Sequence, residues 1–482
     1  MFERRDIWKL SEEDPWQPTI LWYARAVDEL RSRNGDNFAD PTSWGYLAAV
    51  HGTDVPRARW PRGATWSACQ HASWFFLPWH RIYLHYFETA VRAAVLELGG
   101  PEDWALPYWD YSDPARSDVR MLPPAFRQPA MPTGEPNPLF TEQRAAGVNE
   151  GAKVPPSAVL VDDAMREKVF ADPNTGGFGG AVTGWNDAGG VVGSLENVPH
   201  GGVHMEVGGR NPYGWMSRFQ TAALDPVFWL HHCNLDRLWE AWLAQTDVRR
   251  ANPTAAKWRA MRFTIGSGDS AATLEVRDVV DTKAAPLRYR YESLALPGAA
   301  PRLKSVARPR KPILDDVQPE MVGATEKRVP LGAAASDALL VVSAPTGPAL
   351  KFLSDLEEEL RRVYLKVENV EGSELAASSY MVHVNLPPGA AAADHPERRA
   401  GQISMFGVAE ASRSDERHGG GGLTFSFEIT HVARRLEGAG DWDPERLRVT
   451  FTPVRRKGGD AQGDAEPREG GVSAGRVSLF YT

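Results

Sequence analysis

The sequence predicts an α-helical domain followed by an all-β antiparallel sandwich, mainly because its hydrophobic pattern changes along the chain. Before residue 300, apolar residues recur at helical spacing. From residue 338 onward, short alternating runs separated by turn residues are typical of antiparallel strands. Five prolines between the two parts are typical of a linker. We therefore predict a helical domain over 1–300, a linker over 301–335 and a sandwich over 336–482.

Composition narrows the class of protein. The 482 residues are 42% hydrophobic and 24% charged, which is ordinary for a globular chain of two or three domains. The formal net charge is −8 without a basic block, so we expect no nucleic-acid partner. No membrane span and no signal peptide are visible, and two cysteines make no disulfide framework. We expect a cytoplasmic protein with no membrane partner.

Local signals predict where the helices of the first domain begin and end. Gly52 is a good stop for a short helix. Pro78 suits the start of a long helix, and Asp225 is a typical N-cap for the helix that follows it. The span 111–195 is rich in Pro, Gly and Asp, and we expect long loops there that carry or cover a site. Helices are predicted over 20–30, 46–51, 78–98 and 226–243.

Three histidines of the N-terminal half lie next to these helices. His51 ends the short helix, and His80 lies in the first turn of the long one. His71 lies in the loop before that turn. We predict that they form one three-histidine set.

A second set follows from helical spacing. His200 and His204 are four residues apart, which puts their Cβ atoms about 5–6 Å apart on one helical face. In the helix after Asp225, His232 shares a face with Phe228 and can complete the set. We expect the neighbouring His231 to point elsewhere.

Two three-histidine sets predict a pair of metal ions. Imidazole ligands suit copper, zinc or iron. The sequence has neither an HExxH motif nor the cysteine clusters of structural zinc sites. Because no bridging carboxylate accompanies the two sets, the pattern favours paired copper.

These motifs resemble those of the type-3 copper proteins, which are the tyrosinases, catechol oxidases and haemocyanins. The resemblance implies two copper ions, dioxygen as co-substrate and a four-helix bundle around the site. It makes the second histidine of the 231–232 pair the ligand. The C-terminal part is similar to the sandwich that follows the catalytic domain in plant enzymes and haemocyanins. The matching motifs are Cys69-x-His71, 76–81, His200-x3-His204, 225–239 and Tyr289-x-Tyr291.

The resemblance also implies roles for residues around the metal. Glu196, four residues before His200, matches a carboxylate that holds a water near the copper pair. Phe219 matches a phenylalanine that gates one copper. Cys69 matches a cysteine that forms a thioether bond with the histidine at the position of His71.

One position departs from the family pattern. Gly201 follows His200, where strong monophenolases often carry an asparagine that helps a water activate the phenol. Glycine cannot do this, and we expect it to leave space above the copper. Gly201 therefore favours the oxidation of o-diphenols or o-aminophenols over the hydroxylation of monophenols.

The resemblance thus implies a copper-dependent polyphenol oxidase that converts small o-diphenols to o-quinones, with weak or variable monophenol hydroxylation. One alternative is a tyrosinase with full monophenolase activity that is latent until the C-terminal domain is removed. Another is a haemocyanin-like oxygen carrier, against which the single dicopper domain and the lack of repeats argue. We expect the C-terminal domain to shield the copper site, although no residue of it stands out as the plug.

Overall fold

The computed structural model describes residues 1–184, 190–210, 212–245, 250–267, 271–296, 320–342, 362–414, 419–442, 446–454 and 471–481. A helical domain is followed by two antiparallel sheets, which confirms the predicted fold class. In these ranges, every helix is too short or too polar to cross a membrane.

The helices are labelled in chain order. Those of the first domain are α1 (Ile7–Leu10), α2 (Pro18–Ser32), α3 (Trp44–His51), α4 (Phe76–Glu97), α5 (Pro124–Arg127), α6 (Asp162–Arg166), α7 (Gly202–Gly208), α8 (Pro226–Leu243) and α9 (Ala256–Arg259). Those of the second domain are α10 (Val408–Ala411) and α11 (Thr430–Gly438).

The predicted helix boundaries hold where a capping residue marks them. Asp225 caps α8 by accepting a hydrogen bond from the Val227 amide at 3.0 Å. Arg144 holds this cap from the side, with both Asp225 oxygens within 2.8 Å and both side chains fully buried. Gly52 ends α3 as predicted. α4 begins two residues before Pro78, which its first turn tolerates.

The buried carboxylate of Asp236 ties the two ends of the helical domain to its central helices. Arg81 of α4 donates to it at 2.5 Å, and Arg4 near the N-terminus donates at 3.3 Å. Tyr289 donates at 2.5 Å, and Tyr291 donates to the same oxygen. Although burial opposes the charge, the two arginines hold the pKa of Asp236 below its usual range. The Tyr-x-Tyr motif therefore closes the domain by hydrogen bonding into α8.

The strands are also labelled in chain order. They are β1 (Phe2–Arg4), β2 (Arg262–Ile265), β3 (Ala272–Glu275), β4 (Tyr289–Tyr291), β5 (Glu320–Ala324), β6 (Val329–Pro330), β7 (Ser336–Leu339), β8 (Val341–Val342), β9 (Val363–Glu371), β10 (Ser379–Val384), β11 (Arg399–Ser404), β12 (Leu423–Glu428), β13 (Arg448–Pro453) and β14 (Ser473–Tyr481).

The C-terminal domain is built from two sheets whose described pairings are all antiparallel. One has the strand order β11-β10-β13-β7, and the other has β12-β9-β14-β5-β8 with β6 also on β14. Burial alternates along β12, where Leu423, Phe425 and Phe427 face the core. β11 and β12 are edge strands, and both contact the helical domain through residues 191–197.

The linker predicted over 301–335 extends too far. β5 and β6 lie inside it, and both pair with β14. The sandwich therefore includes residues from 320 onward. The prolines of this stretch favoured a linker over strands. Pro330 lies at the end of β6, whose two-residue pairing with β14 requires few backbone hydrogen bonds. Residues 301–319 lie outside the described residues.

Replacing the shared carboxylate should destabilise the helical domain. Asp236→Asn should lower the free energy of unfolding by about 3–5 kcal/mol, because two buried arginines lose their compensating charge. Urea unfolding of the metal-free chain measures this. As a control, Arg290→Gln removes an exposed ion pair with Glu3 and should cost less than about 1 kcal/mol. Equal losses in the two variants would contradict this role of Asp236.

Candidate metal centre

The first predicted histidine set comes together between α3 and α4. The ring centroids of His51, His71 and His80 are 5.5, 5.7 and 5.3 Å apart. His51 and His80 are buried, whereas His71 lies in a loop and is partly exposed. Donor atoms of His51, Cys69 and His71 lie within 4.8 Å of one another. The predicted thioether partners are therefore near neighbours.

The second set forms where α7 meets α8. The ring centroid of His200 is 4.6 Å from that of His204 and 5.2 Å from that of His232. The Nε2 atoms of His204 and His232 are 3.3 Å apart. His200 belongs to a π-helical turn over Glu196–Gly201, and His204 belongs to α7. His200 and His204 therefore lie close together as predicted, but the turn that carries His200 is not a regular α-helix.

Backbone carbonyls orient four of these imidazoles. In each, Nδ1 lies within 3.0 Å of a carbonyl oxygen, which requires a proton on Nδ1 and leaves the lone pair on Nε2. This is the arrangement that histidine ligands of metals usually show. The pairs are His51 with Phe219 at 2.9 Å, His80 with Phe76 at 2.8 Å, His200 with Glu196 at 3.0 Å and His204 with Met216 at 2.6 Å.

Three of the four Nε2 atoms lie in the protein interior without a partner among the described residues. The Nε2 atoms of His51, His80 and His200 are buried and make no hydrogen bond within the described part of the chain. Burial lowers the pKa of His51 to about 4 and keeps the pKa of His80 and His200 well below the usual value. These imidazoles are therefore neutral, and neutral imidazole is the form that binds metal.

The two sets face each other across a short gap. The His80 and His232 rings stack at 4.5 Å between centroids with 12° between their planes. His71 lies 5.6 Å from His200. The arrangement gives two adjacent clusters of imidazole donors, as a dinuclear centre requires.

His231 does not point away from the cluster. Its ring lies parallel to His200 at 5.7 Å and edge-on to His204 at 5.0 Å. A donor atom of His231 lies within 4.8 Å of donors from the second set. Its Nδ1 is 3.1 Å from the Tyr111 hydroxyl. The prediction for His231 was wrong. The irregular turn at His200 brings the His200 ring beside α8, where it lies next to His231.

Glu196 bridges the two halves of the site. Both of its oxygens accept from the Ala72 amide, at 2.8 and 3.0 Å, and Ala72 directly follows His71. Burial raises the pKa of Glu196 to about 8, against the opposing effect of the Ala72 hydrogen bond. Glu196 thereby links the loop of His71 to the turn of His200.

Phe219 covers the first set. Its ring stacks on His71 at 4.3 Å with 13° between the planes, and its carbonyl orients His51. One residue of the loop before α8 therefore contacts two of the predicted ligands.

The sandwich covers the second set with Phe406. The Phe406 ring stacks on His204 at 4.2 Å with 15° between the planes, and it lies 5.3 Å from the His200 ring. It also touches Phe219, at 4.6 Å. A small cavity that is partly open to solvent lies between His71 on one side and Phe406 on the other.

The space expected above Gly201 is filled in the intact chain. A Cβ atom at this position would lie 2.5 Å from Oγ of Ser404 and 3.4 Å from Cβ of Phe406. Sequence reasoning could not find this contact, because it depends on how two domains meet. Phe406 is followed by a glycine, which adopts a positive φ in the structure. A glycine after a phenylalanine does not by itself predict a function.

The fold and the paired histidine sets define a dinuclear metal protein, and comparisons with known proteins agree. Residues 41–245 match the common central domain of tyrosinase, and residues 318–482 match a domain of unknown function, DUF7868. Tyrosinase HcTyr1 of Hahella sp. (strain CCB-MM4) is 32% identical over 507 residues, covering 99% of each chain. A chloroplastic polyphenol oxidase of Vitis vinifera is 29% identical over 59% of this chain and 47% of its own length.

Solved structures share the whole fold. Latent apple tyrosinase has a TM-score of 0.66 at 20% identity and covers 100% of this chain and 97% of its own. Latent aurone synthase has a TM-score of 0.65 at 22% identity, covering 100% of this chain and 89% of its own. The chain belongs to the tyrosinase family of type-3 copper oxidoreductases. Members of this family hold two copper ions and use dioxygen.

The residues present fit such a copper pair. The donors are neutral imidazoles, which suit copper. The buried Nε2 atoms of His51, His80 and His200 lack protein partners in the described residues, and a metal ion would satisfy them. We propose His51, His71 and His80 as ligands of one ion and, as ligands of the other, His200, His204 and His232.

Removing one ligand from either set should release one ion. His51→Ala or His204→Ala should bring bound copper from two per chain toward one and abolish turnover of catechol, because each ion loses one of three imidazoles. Metal analysis of purified protein measures the content. His85→Ala, on α4 but only partly buried, is the control and should keep both ions. Full copper and activity in either ligand variant would remove that residue from the proposed set.

We also predict a thioether bond between Cys69 and His71 in copper-matured protein, because their donor atoms are close. The carbon–sulfur bond would replace the S–H bond of Cys69 and a ring C–H bond of His71, and dioxygen would accept the two hydrogens as hydrogen peroxide when copper is bound. Intact mass should therefore fall by two hydrogens. Cys69→Ala should show no deficit relative to its own sequence mass, and Cys233→Ala, which removes a thiol buried elsewhere, should retain it. An unmodified mass after full copper loading would count against the bond.

Proposed function

We propose that this chain is a latent o-diphenol oxidase. It oxidises catechols, and o-aminophenols as further substrates, to o-quinone-type products with dioxygen, and it hydroxylates monophenols weakly. The observation that carries the substrate preference is the pairing of Glu196 with a side-chain-free Gly201 beside His200. When bound, the copper pair supplies the redox chemistry, in which two diphenols lose four electrons and four protons while one dioxygen becomes two waters.

The protein supplies ligand geometry and a dry site. Carbonyl oxygens fix four imidazoles as single tautomers, so no reorientation is needed when metal or substrate binds. Phe219 and Phe406 exclude water from the faces of His71 and His204. The cavity between the domains is the approach route for a small phenol.

The preference for diphenols follows from proton transfer. A monophenol must lose a proton with a pKa near 10 before it binds a metal well, so it depends on a nearby base. The Ala72 amide donates to both oxygens of Glu196, which keep further acceptor sites for a water. Gly201 offers no group that would orient a water between Glu196 and the substrate. A diphenol needs this help less, because its second oxygen adds to metal binding.

Latency follows from Phe406. Its ring occupies the face of His204 where a substrate ring would stack. A phenol must therefore displace Phe406, and the energy needed for displacement lowers its apparent affinity.

A tyrosinase with full monophenolase activity is the second candidate. The name of the Hahella relative favours it. Relative rates on matched monophenols and diphenols separate the two.

Unmasking should raise activity without any change in the ligands. Phe406→Ala in the full-length chain should raise kcat/KM for catechol by about tenfold, which corresponds to about 1.4 kcal/mol of barrier. Phe425→Leu is the control, because Phe425 lines the same cavity without a ring contact to any described histidine, and leucine keeps the core of the sandwich filled. It should change kcat/KM little. An unchanged rate in Phe406→Ala would contradict masking by this residue.

The substrate preference is best measured once the site is unmasked. In a Phe406→Ala background, kcat/KM for a catechol should exceed that for the matching monophenol by at least about tenfold. Adding Gly201→Asn should raise the monophenol rate relative to the catechol rate, because an amide can orient a water on Glu196. Gly201→Ala in the same background adds bulk without an amide and should leave the ratio unchanged. Equal rates on both substrates before any change at 201 would favour the second candidate.

A further inference from the structure

One short segment of the helical domain carries both site residues and the contacts that seat the sandwich. We call residues 190–201 the docking segment. It includes Glu196 and His200. The Val192 amide of this segment donates to the Thr424 carbonyl of β12 at 2.9 Å. Val191 forms an isolated parallel β-bridge with Thr424. The edge of one sheet therefore ends on the backbone of this segment.

The edge of the other sheet ends on a side chain. The Asn197 amide donates to the Gln402 carbonyl at 2.6 Å and accepts from the Ser404 amide at 3.0 Å. A side-chain amide thus takes the place of a neighbouring strand along β11. Asn197 is buried, so breaking these bonds would leave buried polar groups unpaired. Together they hold Ser404 in one position over the docking segment.

Gly201 lies directly beneath Ser404. Its backbone has φ −62° and ψ −34°, a right-handed helical conformation that every residue adopts. Glycine is therefore not required by the backbone here. It is required by space, because a Cβ atom would lie 2.5 Å from Oγ and 2.8 Å from Cβ of Ser404. The close approach of the sandwich depends on the missing side chain.

Ser404 connects this contact to Phe406. Its Oγ accepts from the Phe406 amide at 3.3 Å, so the atom nearest Gly201 also holds the backbone of Phe406. Ser404 cannot retreat alone, because Asn197 holds its backbone. A group added at 201 must therefore lift Ser404 and Phe406 together.

We propose that Gly201 is the steric seat of the C-terminal domain, and that any side chain at this position releases Phe406 from His204 in the uncleaved chain. The proposal rests on the proposed function, in which Phe406 masks the site. It follows that position 201 couples substrate preference to latency. A residue such as asparagine at 201 is incompatible with the closed domain seen here.

The test uses the full-length chain throughout. Gly201→Ala should raise kcat/KM for catechol by about tenfold, because overpacking a close contact shifts the domain away from its docked position. Combining it with Ser404→Gly, which removes both nearest atoms, should return the rate toward that of Ser404→Gly alone, which lacks the bond from the Phe406 amide to Oγ. Added to Phe406→Ala, the same Gly201→Ala change should give no further increase, because nothing remains to be unmasked.

A second readout does not depend on copper. In metal-free protein, amide hydrogen exchange along β11 should speed up by about tenfold in Gly201→Ala and slow again when Ser404→Gly is added. A Gly201→Ala chain that misfolds but is restored by Ser404→Gly would report the same contact. A chain that misfolds with either residue at 404 would overturn the proposal, because the added methyl would then clash elsewhere.

The outcomes separate the two proposals. If Phe406→Ala leaves the rate unchanged, masking by Phe406 is wrong, while exchange along β11 still reports the seat. If Phe406→Ala raises the rate but Gly201→Ala changes neither rate nor exchange, Gly201 is not the seat. Unchanged exchange with a raised rate would also overturn the proposal, since the rate would then reflect the pocket alone.

Discussion

The site depends on backbone carbonyls that hold buried imidazoles in one tautomer. A free imidazole can rotate and can carry its proton on either nitrogen. Four of the imidazoles described here instead donate a hydrogen bond from Nδ1 to a carbonyl oxygen within 3.0 Å. The lone pairs on Nε2 must then converge. Two of the carbonyls belong to Phe219 and Met216, which lie in the irregular segment before α8. The loops around the helices are therefore as necessary to the centre as the helices that carry the ligands.

The position of the second domain follows from the same segments. Glu196 and Asn197 are neighbours, yet one reaches the loop of His71 and the other reaches β11. Phe406 then lies on His204, the imidazole whose other nitrogen is held by Met216. Metal geometry and domain docking thus share one stretch of backbone. We infer that latency depends on both domains, because the backbone segment that positions metal ligands also docks the sandwich.

The sequence predicted what local rules govern. Capping by Asp225 and the helix stop at Gly52 were both confirmed, because each depends on a few neighbouring residues. The alternating pattern that predicts strands does not extend to β11, because Arg399–Ser404 has a glycine and a buried glutamine in place of alternating apolar residues. The orientation of His231 and the contact between Phe406 and His204 depend on residues far apart in sequence. Single-sequence patterns carry no information about such contacts.

Each of the two adjacent imidazole sets should hold one copper ion. Crystals of the copper-loaded, full-length chain, measured on both sides of the copper absorption edge, should locate these ions. We expect two anomalous peaks, one among His51, His71 and His80 and the other among His200, His204 and His232. A single peak, or a second peak bound by His231 in place of His232, would contradict it.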